Sequence, residues 1–115
     1  MYVYPGVTLS SATNSSPILI GSSSAILYGT DIDPARALTS LGLVCKVSAG
    51  ASLTYSVQIS ADPPTSSIVN WIDHDVITGK TSSIASNILY PVTAVRLAVT
   101  VWASGSVSLG VAQWP

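Results

Sequence analysis

Val95-Arg96-Leu97-Ala98-Val99-Thr100-Val101 and, after the break Ala103-Ser104-Gly105-Ser106, Val107-Ser108-Leu109-Gly110-Val111 decide the fold. Val95, Leu97, Val99 and Val101 recur at every second residue, and so do Val107, Leu109 and Val111. Successive side chains of a strand point to opposite faces, so each run buries one face and wets the other. Two such runs across a short Gly-containing break predict a β-hairpin with one buried face. The same alternation sets Arg96 and Trp102 on the outer face.

Upstream, Leu53, Tyr55, Val57 and Ile59 alternate with Thr54, Ser56, Gln58 and Ser60, which predicts a second amphipathic strand with Tyr55 in the core. Residues 42–48 predict another, turned by Ala49-Gly50-Ala51, with Leu43, Cys45 and Val47 on one face. Ile18-Leu19-Ile20 and Ala25-Ile26-Leu27-Tyr28 read as two short strands around a turn at residues 21–24. Residues 68–72 read as a short strand carrying Trp71. One or two helical turns are expected from Asp33-Pro34, which suit a cap and a first helical position. Pro63-Pro64 cannot join a ladder and marks a loop. Residues 73–86 read as a polar excursion, and the long connection over 62–87 suits a crossover between sheets. About eight strands with little helix predict an all-β fold, an antiparallel sandwich of two sheets, and a jelly roll if the strands wind as Greek keys. Residues 1–17 read as an N-terminal arm and 18–115 as the sandwich domain.

Only 8% of the 115 residues are charged, against about 25% in ordinary soluble domains. Net charge is −1, which leaves little electrostatic attraction for nucleic acid or anionic lipid. Ser and Thr fill the polar positions and lose less rotamer entropy than Lys or Glu when a surface is covered. Mean hydropathy is +0.54, yet no apolar run approaches the ~18 residues of a membrane span. The apolar surface is therefore expected to be buried in the fold or against partners, with no membrane and no nucleic acid among them. Met1-Tyr2-Val3-Tyr4-Pro5 lacks a basic start and an apolar secretory core, so an intracellular site of synthesis, the cytoplasm, is expected. Cys45 is the single cysteine and reads as a buried thiol.

His74, the single histidine, sits between Asp73 and Asp75. No G-x-S-x-G elbow accompanies it, and neighbours along a strand diverge, so a Ser-His-Asp triad is not supported and no catalytic residue is assigned. Two carboxylates suit calcium, but the ligand count is poor; hydrogen bonds that shape a turn are the simpler role, and no metal is assigned. There is no phosphate-binding glycine loop, and no cofactor is expected. Exposed aromatics on a small sandwich also fit a carbohydrate-binding module, such as part of a fibre or receptor-binding apparatus. Tyr2, Tyr4, Trp71, Trp102 and Trp114 are the candidate interface anchors, because aromatics dominate binding hot spots. Arg96 is expected to pair with Asp73 or Asp75.

Residues 55–62 (Tyr-Ser-Val-Gln-Ile-Ser-Ala-Asp), 71–76 (Trp-Ile-Asp-His-Asp-Val), 90–97 (Tyr-Pro-Val-Thr-Ala-Val-Arg-Leu) and 104–109 (Ser-Gly-Ser-Val-Ser-Leu) together resemble small virion proteins of tailed bacteriophages. The resemblance spans roughly residues 53–113. It implies a capsid cement, or decoration, protein with a jelly-roll or sandwich fold. Such a protein sits on the outer capsid surface of the virion as a homodimer or homotrimer, bound to the major capsid protein, without catalysis.

Overall fold

The computed structural model describes residues 2–20, 41–62, 70–90 and 92–113. Their regular structure is all β: β1 (Tyr2–Val3), β2 (Val7–Leu9), β3 (Ile18–Leu19), β4 (Leu41–Val47), β5 (Ser52–Ser60), β6 (Ile72–Asp73), β7 (Ile84–Ile88), β8 (Ala94–Ser104) and β9 (Val107–Gln113). The first sheet runs β1-β9-β4-β7, with β2 also on β9; the second runs β3-β8-β5-β6. β1 and β2 lie along one edge of β9, separated by Pro5-Gly6, and together act as a single interrupted strand. Among the described residues each sheet is therefore four strand positions wide, and the fold is a two-sheet sandwich as the alternation requires.

The pairing is nested. The β1/β2 strand pairs with β9, β3 with β8, β4 with β7 and β5 with β6, all antiparallel. This is one long antiparallel ribbon, tipped by β5 and β6, wound so that its successive pairs fall in alternate sheets. That winding is a jelly roll. It also corrects the expected hairpin: β8 belongs to the second sheet and β9 to the first, so the two do not pair. They are joined by an arch and face each other across the core. Alternation reports which side of a strand is covered, and a facing sheet covers it as well as a hairpin partner would. The arch turns at Gly105, whose φ is +83 and whose added Cβ would fall 2.3 Å from that of Ala51.

Leu41, Leu43 and Cys45 of β4, Leu53, Tyr55, Val57 and Ile59 of β5, Val95, Leu97 and Val99 of β8, and Val107, Leu109 and Val111 of β9 fill the space between the sheets. Ile77 and Ile88 close its open side. Residues 2–17, expected as an arm, supply strands to the sandwich. β1 and β2 edge the first sheet, and residues 13–15 run along β8, with Ser15 N–H on the Leu97 carbonyl and Val99 N–H on that of Thr13. The 62–87 connection does cross between sheets, from β6 to β7. β7 starts inside the polar excursion expected over 73–86 and runs past its end to Ile88, because Ile84-Ala85-Ser86-Asn87-Ile88 has apolar ends and only small or polar residues between them. Of the strand expected over residues 68–72, Ile72 is in β6 and Trp71 immediately precedes it. The expected strand at 25–28 with its turn at 21–24, the helical turn at Asp33-Pro34, the Pro63-Pro64 loop, and Trp114 lie outside the described residues.

Candidate functional site

The outer face of the first sheet is built almost entirely of small residues. Outward positions alternate along β4 as Gly42, Val44 and Lys46, and along β9 as Ser108, Gly110 and Ala112. Register places Val3 beside Ala112 beside Gly42, and Gly110 beside Val44 beside Ala85. Val3, Gly42, Val44, Gly110, Val111 and Ala112 line a shallow depression there. Val44 is exposed at its centre, and Lys46 at its margin is the one charged residue on β1, β4, β7 and β9. Neither glycine is required by the fold. A Cβ on Gly42 would meet the Ala112 carbonyl at 3.8 Å, and one on Gly110 the Val44 carbonyl at 3.8 Å; both are ordinary contacts, and neither residue has a positive φ.

The outer face of the second sheet is polar and cross-linked. Gln58 of β5 lies between Arg96 of β8 and Asp73 of β6 in the register. Arg96 Nε donates to Gln58 Oε1 at 2.7 Å, and Gln58 Nε2 donates to Asp73 Oδ1 at 3.0 Å. An arginine only donates and a carboxylate only accepts, so the Gln58 amide has one orientation. Thr78 Oγ1 donates to the other Asp73 oxygen at 3.0 Å. The guanidinium lies over the Trp71 ring, 4.4 Å from its centroid, and burial lowers its pKa. Arg96 therefore reaches Asp73 only through Gln58, and the expected direct pair with Asp73 or Asp75 does not form.

His74 is a strap. Its Nε2 meets the Asn87 carbonyl at 2.9 Å, while Nδ1 accepts from Val76 N–H and Ile77 N–H, each at 3.1 Å. Backbone amides can only donate, so the ring is neutral with its proton on Nε2. Asp75, 3.5 Å from Nδ1, faces a lone pair and forms no ion pair with this tautomer. His74 N–H donates to the Val57 carbonyl, Val57 N–H to that of Ile77, and Tyr55 and Lys80 exchange both backbone bonds. The segment thus covers the edge of β5 and ties the second sheet to β7 of the first. This is the turn-shaping role that sequence offered for the loop. Among the described residues no three His, Cys, Asp or Glu side chains converge.

The aromatic anchors separate. Tyr4 is buried in the core, with its hydroxyl on Gln113 Oε1, so it is not available to a partner in this fold. Pro5-Gly6 bends the chain after it and lets it turn inward. Tyr2 is in β1, and Trp71 is half-buried under Arg96. Trp102 is 40% exposed, outside the core as the alternation assigns, but Val101, assigned to the buried face, is 60% exposed. Tyr55 pairs with Val99 but Thr54 with Val101, which leaves Thr100 as an extra residue. A bulge of this kind flips the faces beyond it. Val101 is turned outward, and Trp102, opposite Leu53, caps the end of the sandwich with Nε1 on the Gly105 carbonyl at 2.9 Å.

No protein-family model matches this sequence, and no curated protein matches it. A solved structure, from work describing Bacillus endospore appendages as a novel family of disulfide-linked pili, aligns over 96% of this chain and 88% of its own. Identity is 16% and the TM-score 0.37, a likeness too low to carry an argument about either fold or role.

Proposed function

We propose that this chain is a non-enzymatic structural protein that works as a tile among other proteins. Its finer identity is a capsid cement, or decoration, protein, seated as a homodimer or homotrimer on the outer surface of a shell of major capsid protein. The observation that carries the reading is the outer face of the first sheet. Glycine inside a strand costs roughly 0.5–1 kcal/mol relative to alanine. Gly42 and Gly110 bear that cost with no backbone reason, since neither has a positive φ and a Cβ at either makes only an ordinary contact. A second surface approaching closely supplies the reason. The phage setting rests on the resemblance of residues 53–113. His74, the residue a Ser-His-Asp triad would need, has both ring nitrogens committed to backbone, in keeping with a structural role.

Magnitude decides how such a face works. Four strands at ~4.8 Å spacing and six or so residues at ~3.3 Å present roughly 400 Å². A stable interface buries about 800 Å² per partner. One face alone therefore binds weakly, and firm attachment comes from several copies engaging at once.

Co-sedimentation with empty shells of the cognate capsid protein tests the reading. The wild-type protein is expected to pellet with shells at micromolar concentration. Gly42→Thr and Gly110→Thr are expected to keep or raise the melting temperature and to lose the shell. If both variants pellet like the wild type, this face is not the contact. If the wild type stays in solution and binds glycans instead, the molecule is a carbohydrate-binding module.

A further inference from the structure

Arg96 is a braced cation that, among the described residues, pairs with no carboxylate. Trp71 stacks on one face of the guanidinium, and Nε is spent on Gln58. Gln58 is itself held by Asp73, and Asp73 by Thr78. Among the described residues neither terminal Nη group has an acceptor. Asp73, two strands and about 10 Å away across the sheet, is kept from direct pairing by the intervening glutamine. An arginine normally loses side-chain entropy when it grips an anion; here the Gln58 bond and the Trp71 ring already supply part of that ordering.

We infer that Arg96 is a carboxylate-recognition residue, and that the outer face of the second sheet docks an Asp or Glu side chain of a neighbouring protein through the two open Nη groups. This rests on the assembly reading and names the chemistry of the partner. A planar carboxylate matches the two-toothed guanidinium edge. A phosphate is disfavoured, because its second negative charge is opposed by Asp73 while only one cation faces it. Aromatic and arginine side chains held rigid at a surface are also the residues that dominate protein–protein binding energy.

The test is a titration of ¹⁵N-labelled full-length protein at low ionic strength, followed at the Arg96 Nε–H and Trp71 Nε1–H signals. The probes are N-acetylglutamate amide, its glutamine analogue, glucuronate and inorganic phosphate. The glutamate probe is expected to shift both signals saturably in the millimolar range, and the glutamine analogue to leave them in place. Arg96→Lys keeps the charge but loses the fork, and should weaken binding about tenfold. Gln58→Glu gives Arg96 an internal carboxylate and should abolish the shifts while the fold stays intact. Absence of shifts with the glutamate probe, or equal shifts in Arg96→Lys or Gln58→Glu, overturns the inference. Tighter binding of glucuronate or phosphate than of the glutamate probe overturns it in favour of an acidic sugar or a general anion site. None of these readouts uses a shell, so failure here and failure of the tile reading are separable.

Discussion

Cys45 of β4 and Tyr55 of β5 are both buried in the core between the two sheets, and each affects the other's ionisation. Burial pushes the thiol from 9.0 up to about 11, against a smaller opposing pull from Tyr55. It pushes the Tyr55 phenol from 10.0 up to about 12, with the Cys45 charge and hydrogen bond adding to it. The phenol also donates to the Ser82 carbonyl at 2.6 Å, tying β5 to the start of the chain entering β7. Both groups hold their protons more tightly folded than unfolded. Their contribution to stability is therefore complete below about pH 9 and is lost as pH rises through 9–11 for Cys45 and 10–12 for Tyr55. The urea midpoint is expected to fall markedly between about pH 8 and pH 11. A midpoint unchanged over that range would show that neither group ionises on unfolding. By the same burial, Cys45 is a filler of the core and not a cross-linking thiol.

At the level of strands, most faces were legible from alternation and the partners were not. Leu53, Tyr55, Val57 and Ile59 point inward as their spacing requires, because burying one face of a strand is a local demand on sequence. Which strand lies alongside is decided by contacts far away in the chain, and nothing in residues 95–111 announces that β8 pairs with residues 13–19 and 52–60. Arg96 was misassigned for this reason: its neighbour Gln58 is identified only by the β5–β8 register. The bulge at Thr100 was equally silent, since Thr suits a strand and no glycine marks the irregularity. A pair of substitutions checks the flip. Val99→Ser removes a buried side chain from the core and should cost about 2–3 kcal/mol. Val101→Ser, at a side chain turned out to water, should stay within about 0.5 kcal/mol. Equal losses at the two positions would return Val101 to the core face. Val99 and Val101 look identical in sequence, so the contrast isolates the bulge.

For the molecule as a whole, the nested pairing fixes how the chain must find its structure. Tyr2 pairs with Gln113 and Ile18 with Val95, so the defining contacts close loops that span most of the chain. Loop closure has to be met before those contacts return anything, and proteins dominated by such pairings fold in milliseconds to seconds. Stopped-flow refolding of this protein is expected in that range; a microsecond phase carrying the full amplitude would contradict the nested pairing.

That ordering bears on synthesis as well as on refolding. β8 and β9 occupy central positions in their sheets, yet residues 94–113 leave the ribosome after all the strands they must join. Until then β4 and β5, the longest of the earlier strands, have no β9 or β8 to lie against. The nascent polypeptide therefore carries its stickiest segments unprotected through almost the whole of translation. A ribosome stalled before Val107 would release a fragment missing the centre of one sheet, suited to aggregation and to capture by chaperones.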